Sequence, residues 1–508
     1  VNTFPSTNHS FFSSRWLLVG ALVLLFGFGF GIRLYQLTNL PLDFQPTRQL
    51  LSMLKARGMY YATNPPGISA WQRQMAIQQW KTRADVEPSI VENMVAFTYR
   101  FTGEHFWIAR IYSSLFWIIG GIFLFLLVRD LISVDGAVIA TAYYLFFPYA
   151  VIASRSFQPD PFMVMSIISF WWAFYRWTKN PSWLWTLLAG LLGGLAVLIK
   201  FSAAFFVIGA ALGLGFGKFS LRDLIRKPQL WVMAVLGILP AAAYLYDGLI
   251  LNNFLRQQFG GRFFPSLLLS PINYINWESK AALTAGGVAI MFGLLGLFFV
   301  RERNARFFLY GLWGMYILYG LYFDYHIATH DYYQLPFIPI VAISLAPIAD
   351  WFLARLAELS AGRWLRIVAI VFLAFGLFSA LWDIRDTLKS VDYRPQAAMW
   401  AEVGDKLGHG SGVVALTQDY GQRLNYWGWQ NAEIWPNSGD IDYHELRGAS
   451  FNSSTNFAKM TNGKNFFLVT DFQELGRQLD LKKSLSAFPV YAQGDGYIIY
   501  DLRNQPAP

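Results

Sequence analysis

Residues 16–32 read WLLVGALVLLFGFGFGI, and residues 40–61, close behind them, read LPLDFQPTRQLLSMLKARGMYY. The first stretch is apolar over roughly the 17–25 residues that a bilayer-crossing helix needs. The second sets an acid, a proline and three basic residues just where the chain leaves that run. A single arginine, Arg15, precedes the apolar run, and no small-residue cleavage pattern follows it. The run is therefore read as a retained helix, not a signal peptide.

Working outward, the whole chain has the same character. Its 508 residues are 55% hydrophobic and 18% aromatic, with only 14% charged, and the mean hydropathy is +0.35. A soluble protein carries about a quarter of its residues as charges, so this balance points to a polytopic membrane protein. The net charge of +9 fits basic cytoplasmic loops rather than nucleic-acid binding. With no cysteine, thiolate metal sites and disulfides are excluded.

About eleven windows are long and apolar enough to be transmembrane helices, near 16–34, 108–128, 136–153, 161–177, 183–199, 201–217, 229–247, 280–300, 306–323, 334–353 and 364–382. The two around Lys200 are short, and one broken helix is an alternative there. With a cytoplasmic N-terminus, the basic loops VRDLIS, YRWTKNPS, GKFSLRDLIRKPQ, VRERNAR and ARLAELSAGRWLR fall on the cytoplasmic side, whereas FDYHIATHDYY (323–333) has no lysine or arginine. The first loop (35–107), 154–160, 248–279, 323–333 and the tail then share the outer face. From residue 383 the sequence turns mixed and polar. Strands are expected at 412–416, 465–470, 488–492 and 497–502, and helices at 393–407 and 471–485, the latter capped by Asp471. The expected architecture is a transmembrane module, 1–382, with interfacial helices in the 35–107 loop, followed by a small external α/β domain, 383–508.

Four segments carry a resemblance: the loop-one stretch above, ASRSFQPDPFMVM (153–165), GGLAVLIKFSA (193–203) and HDYYQLPFIPI (330–340). In that order and on one side of the membrane, they resemble the GT-C membrane glycosyltransferases of the dolichyl-phosphate-mannose mannosyltransferase (family 39) type, with the aminoarabinose transferases as relatives. The resemblance spans about residues 15–355. It implies an inverting glycosyltransferase that moves a hexosyl or pentosyl group from a polyprenyl-phosphate carrier to an acceptor on the outer face, with no metal or other cofactor. Such a reaction needs a carboxylate to take the acceptor's proton and cations to stabilise the leaving phosphate. By the resemblance, Asp43 is the catalytic base, and Arg48, Arg57, Arg155 and Lys200 hold the donor phosphate. Asp160, His326, His330, Asp331, Tyr332 and Tyr333 are acceptor or cavity candidates.

Each candidate also has a plainer reading. Asp43 lies between prolines, where a turn is natural, and Phe44 and Gln45 stand where relatives often carry a second acid. On a helix, Arg48 and Lys55 project together with Ser52, opposite Leu50, Leu54 and Tyr61, which suits an amphipathic helix lying in the interface. Arg57 falls on the apolar side and there needs a lipid phosphate, an acid such as Asp43, or a route to water. Asp160 before Pro161 reads first as a helix N-cap. Lys200 is either a functional cation or a snorkelling one. The His-x3-His spacing of His326 and His330 admits a divalent metal, though hydrogen bonding is the reading preferred, and Tyr332 and Tyr333 also suit interfacial anchors. The aromatic stretch 419–436 serves equally as sugar platform, docking surface or core.

Two other classes of function remain in view. The missing second acid and the aromatic tail fit a catalytically reduced GT-C-like subunit associated with other membrane proteins. A transporter would show repeats and acids in mid-span, which the sequence lacks. Membrane lipids and a lipid-linked sugar donor are the expected partners, and the compact first loop suggests a bacterial inner-membrane setting.

Overall fold

The computed structural model describes residues 10–83, 86–256, 263–359 and 363–503; part of the expected basic loop 354–366 lies outside them. Every window read as apolar falls on helix. Among the described residues, five helices are long and apolar enough to cross a membrane: Arg15–Leu34, Trp107–Leu131, Pro228–Leu251, Phe337–Glu358 and Ile367–Leu407, the last through its apolar first half. Two bent pairs raise the number to seven, and the shorter apolar helices Trp183–Ile199 and Ala203–Lys218 lie beside them. The chain is a multi-pass helical membrane protein.

Both bends have local causes. Val134–Phe146 and Pro148–Ser154 meet at 61°, because Pro148 forces Phe147 out of the helical region, to φ −60° and ψ 127°. Pro271–Ala285 and Gly287–Phe299 meet at 91° at Gly286, whose φ of 76° is one that glycine adopts without strain.

The described residues form two compact units, each assembled from separated segments. One comprises residues 1–37, 84–90 and 107–391; the other comprises 38–83, 91–106 and 392–508. The units therefore part differently from the expected boundary at 382/383, since most of the first loop groups with the C-terminal segment.

In the first unit, small residues bring helices close. A side-chain carbon on Gly311 would lie 2.3 Å from the Gly209 carbonyl, so Arg303–Tyr322 and Ala203–Lys218 touch backbone to backbone. Arg33, fully buried near the end of Arg15–Leu34, donates to Ser154 Oγ at 2.7 Å and to the carbonyls of Gly29 and Leu145. Those acceptors meet part of the need of a cation removed from water, while Nη2 has no hydrogen-bond partner among the described residues.

The second unit is built on a five-stranded sheet of order β2-β1-β3-β5-β4: β1 (Val413–Leu416), β2 (Ala432–Ile434), β3 (Phe466–Val469), β4 (Val490–Gly494) and β5 (Tyr497–Asp501). β1 pairs in parallel with β2 and β3, while β5 runs antiparallel to β3 and β4. Alternate residues serve two cores. Val413, Ala415, Phe466 and Leu468 pack with Trp400, Val403 and Leu407 of helix Arg394–Leu407; Val414, Leu416, Phe467 and Val469 pack with Leu475, Leu481 and Leu485. Burial on both faces explains why β1 and β3 read as continuous apolar runs. Asp471 caps its helix as expected, accepting from Glu474 N, although the expected 471–485 helix is broken into Phe472–Arg477 and Leu479–Leu485.

Loop-one helices Pro46–Tyr61, Ala70–Lys81 and Ile90–Thr102 contribute to this second unit. Gly58 lets the first two meet, since a side-chain carbon there would lie 2.3 Å from Trp80 Cβ. Here the expected amphipathic surface helix needs correcting. Ser52 and Lys55 on its polar side are as buried as Leu50 and Leu54, and Ser52 donates to Glu92 at 2.7 Å. The helix is packed on both sides because neighbouring segments supply acceptors for its polar face.

Candidate functional site

Lys200 occupies the break between Trp183–Ile199 and Ala203–Lys218, in extended backbone at φ −155° and ψ 123°. Its ammonium donates to Asp160 Oδ1 at 2.7 Å and stands 4.9 Å from the ring centres of both Tyr332 and Tyr333. Lys200 is 8% exposed and Asp160 is fully buried, so this pair is removed from water and held by aromatic faces. Of the three lysine N–H donors, Asp160 takes one; the other two have no hydrogen-bond partner among the described residues.

Asp160 is not the cap it was expected to be. It is the first residue of helix Asp160–Lys179, the cap position belongs to Pro159, and no side-chain cap bond forms. The carboxylate turns to Lys200 instead, a partner forty positions away in sequence that a local motif cannot reveal. The whole segment Ser156–Asp160 is buried, and Asp160 Oδ2 and both polar side-chain atoms of Gln158 lack a hydrogen-bond partner among the described residues. Tyr149 lies within electrostatic range of Asp160, Asp331 and Tyr332. Neither Tyr149 nor Gln158 was picked out from sequence, although Gln158 sits inside the quoted SFQPDP motif.

His326 and His330 stack with ring centres 5.6 Å apart, and His326 packs on Tyr333 at 5.3 Å. His330 Nδ1 is 2.7 Å from Thr329 Oγ1. No three His, Cys, Asp or Glu residues stand close enough to hold a metal among the described residues.

Beside Lys200 lies a cavity of about 100 Å³, lined in part by Glu87, Phe201, Ser202, Tyr322 and Tyr333. An apolar groove of about 380 Å³ runs between helices Asp160–Lys179, Trp183–Ile199, Ala203–Lys218 and Pro228–Tyr246, lined by residues such as Phe170, Gly193, Val207 and Ala241. The two share Phe201 and Leu245 on their walls. A greasy channel thus adjoins a buried cation.

The structure puts Arg155 to another use than the expected phosphate contact. Its guanidinium donates to the carbonyls of Tyr35 at 2.7 Å and Gln36 at 3.0 Å, fixing the chain as it leaves the first helix. The remaining candidates belong to the second unit. Asp43 is half-buried in a turn and accepts from Gln49 Nε2 at 3.4 Å; the same amide reaches the carbonyls of Pro41 and Phe44. Arg48 is half-buried in the first turn of Pro46–Tyr61.

Of the three fates expected for it, Arg57 meets the second, an acid, but that acid is Glu104 and not Asp43. It pairs with Glu104 at 2.8 Å, donates to the Tyr426 carbonyl at 2.6 Å, and lies over the rings of Tyr426 and Trp429 at 3.5 and 4.4 Å. Burial opposes its charge, but Glu104, Tyr426 and Tyr61 outweigh that and hold the guanidinium above the ordinary arginine value. Glu104, the acid of FTGEHFW at the end of loop one, was the overlooked partner.

With this geometry in place, known proteins can be compared. Residues 86–246, which include Arg155, Asp160 and Lys200, match the family described as dolichyl-phosphate-mannose-protein mannosyltransferase. The structure of ArnT from Cupriavidus metallidurans bound to undecaprenyl phosphate superposes with a TM-score of 0.57, over 98% of this chain and 100% of that one, at 13% identity. The chain has the GT-C fold. A second GT-C structure, the archaeal oligosaccharyltransferase AglB from Archaeoglobus fulgidus with an inhibitory peptide and a dolichol-phosphate, matches with a TM-score of 0.54. It covers 98% of this chain and 75% of that one, at 13% identity. No curated protein matches by sequence.

Proposed function

We propose that this GT-C protein is an inverting glycosyltransferase that takes a sugar from a polyprenyl-phosphate carrier. The observation that carries the reading is the apolar groove meeting the Lys200 cavity at Phe201 and Leu245. An isoprenoid tail requires a channel of that character, and its phosphate requires a cation at the channel's end. Asp160 and the two tyrosine rings hold the ammonium in place, and its two remaining N–H donors suit phosphate oxygens. As the bond from the sugar carbon to phosphate breaks, negative charge grows on the leaving oxygen, and a fixed ammonium beside it lowers the barrier. An acceptor hydroxyl attacks the opposite face of that carbon and gives its proton to a carboxylate. Asp43 is assigned that role on the family resemblance. The lysine and arginine placement supports a reaction on the outer face. That the structural neighbours were solved with undecaprenyl phosphate and a dolichol-phosphate supports the carrier class.

The test uses the purified full chain with undecaprenyl phosphate as probe and undecaprenyl-phosphate sugars as donors. Lipid should copurify or bind saturably, and Lys200→Met should weaken binding by about tenfold or more, as expected for losing a charged hydrogen bond of roughly 1.5–3 kcal/mol. Asp43→Asn should abolish transfer while leaving lipid binding intact. Undiminished lipid binding by Lys200→Met, or full transfer by Asp43→Asn, would remove the respective assignment.

A further inference from the structure

The sheet of the second unit has a ligand crevice of its own. In the order β2-β1-β3, the connection from β1 leaves to one side and the chain then returns to the other side of β1. At such a switch point the loops diverge and open a crevice at the carboxyl ends of the central strands, here β1 and β3. Thr417 and Gln418 follow β1 and Thr470 follows β3. Thr470 Oγ1 lies 2.7 Å from Thr417 Oγ1 and 3.0 Å from Gln418 Oε1, and Gln418 Nε2 donates to the Thr470 carbonyl. A cavity of about 660 Å³ opens there, and its walls include Gln396, Trp400, Gln418, Arg423, Thr470 and Asp495.

Two further features mark this crevice. Asp419, Tyr420 and Gly421 succeed one another at φ 53°, 52° and 70°. Two consecutive non-glycine residues in the left-handed region are unfavourable by about 1–2 kcal/mol each, and they lie between Gln418 and the helix Gln422–Trp427 that carries Arg423. Arg423 secures the loop by pairing with Asp419 and bonding Gln396. Trp400, 1% exposed on the crevice wall, has an indole N–H with no hydrogen-bond partner among the described residues.

The chemistry of the lining selects a ligand class. Side-chain amides, a threonine hydroxyl and carboxylates offer donors and acceptors together, as a ring of vicinal hydroxyls demands. Glu402 and Asp495 oppose a phosphate or other anion, the charge of Arg423 on the same wall is already met by Asp419, and the amides are wasted on a purely apolar ligand. We propose that this crevice binds a neutral saccharide. The inference stands apart from the Lys200 chemistry and does not rest on it.

The test is binding of glucose, mannose, galactose and N-acetylglucosamine to the full chain in detergent, by saturation-transfer NMR and calorimetry, with inorganic phosphate and AMP as anionic probes. At least one sugar should bind saturably. Gln418→Leu should weaken it by about tenfold, a change of about 1.4 kcal/mol, as should Asp495→Ala, at an exposed turn position that the fold tolerates readily. No saturable sugar binding, undiminished binding by both crevice variants, or preference for phosphate or AMP would overturn the proposal.

Discussion

Replacing Lys200 with methionine strands the Asp160 carboxylate, and the structure sets the size of the effect. The pair is buried, at 2.7 Å, with Asp160 fully enclosed. Removing one member of such a pair leaves an uncompensated charge and destabilises by about 3–5 kcal/mol. At about 2 °C of apparent melting temperature per kcal/mol, the lower end for large domains, the expected drop is roughly 6–10 °C in a scanning-fluorimetry measurement on the detergent-solubilised chain. The decisive variant is the double one, Asp160→Asn with Lys200→Met. Neutral residues of similar volume at both sites remove the stranded charge, so most of the lost stability should return, giving a coupling energy of similar size in the mutant cycle. Transfer activity should not return, because the ammonium is gone in both variants. If Lys200→Met melts within about a degree of the unaltered chain, or the double variant is as unstable as the single, then the physical account of this pair is wrong.

Three other outcomes follow from the geometry. Gly193→Leu narrows the apolar groove, where even a methyl group would already meet Phe170 at 3.0 Å; it should raise the KM for a long-chain donor by about tenfold or more, and a short-chain donor should suffer less. Glu104→Gln leaves Arg57 buried without its carboxylate and should destabilise the second unit by about 3 kcal/mol, read as lost hydrogen-exchange protection in Pro46–Tyr61. Glu474 accepts bonds from Ser438 and Gln478 that, against the opposing effect of burial, hold it below the usual glutamate range. A lowered folded-state value means its contribution is complete above the ordinary glutamate value of about 4.3 and fades as pH falls through the depressed one. Exchange protection around 438–478 should therefore decline with acid in the unaltered chain, and Glu474→Gln should flatten that dependence.

Much of this was legible from residues alone, for reasons that are physical. Long apolar runs announce their helices because lipid tolerates little else, and the alternative of a break at Lys200 was visible as two runs too short to be ordinary spans. β1 and β3 announced themselves as VVAL and FFLV. β2, three residues within an aromatic stretch, has no run long enough to see. Asp160 was misjudged because an aspartate before proline carries a strong local signal, whereas its actual partner is set by packing. For Arg57 the need for an acid was legible but its identity was not: Glu104, Tyr426 and Trp429 converge on it from distant segments, and helical periodicity around Arg57 contains nothing of them. Local rules found the elements; the pairings between distant charges belong to the tertiary fold.

The discontinuous make-up of the second unit also bears on biogenesis. Its early pieces, 38–83 and 91–106, emerge from the ribosome hundreds of residues before their sheet exists. Arg57 pairs with Glu104 early, but the Tyr426 carbonyl and the Trp429 ring that complete its surroundings come last. During that interval a nascent chain holds Leu50, Met53 and Leu54 without their final cover, making the loop a target for proteases and for any chaperone that shields apolar helices. For the same reason, the tail expressed by itself would be an incomplete body, deprived of helices that its own sequence cannot supply.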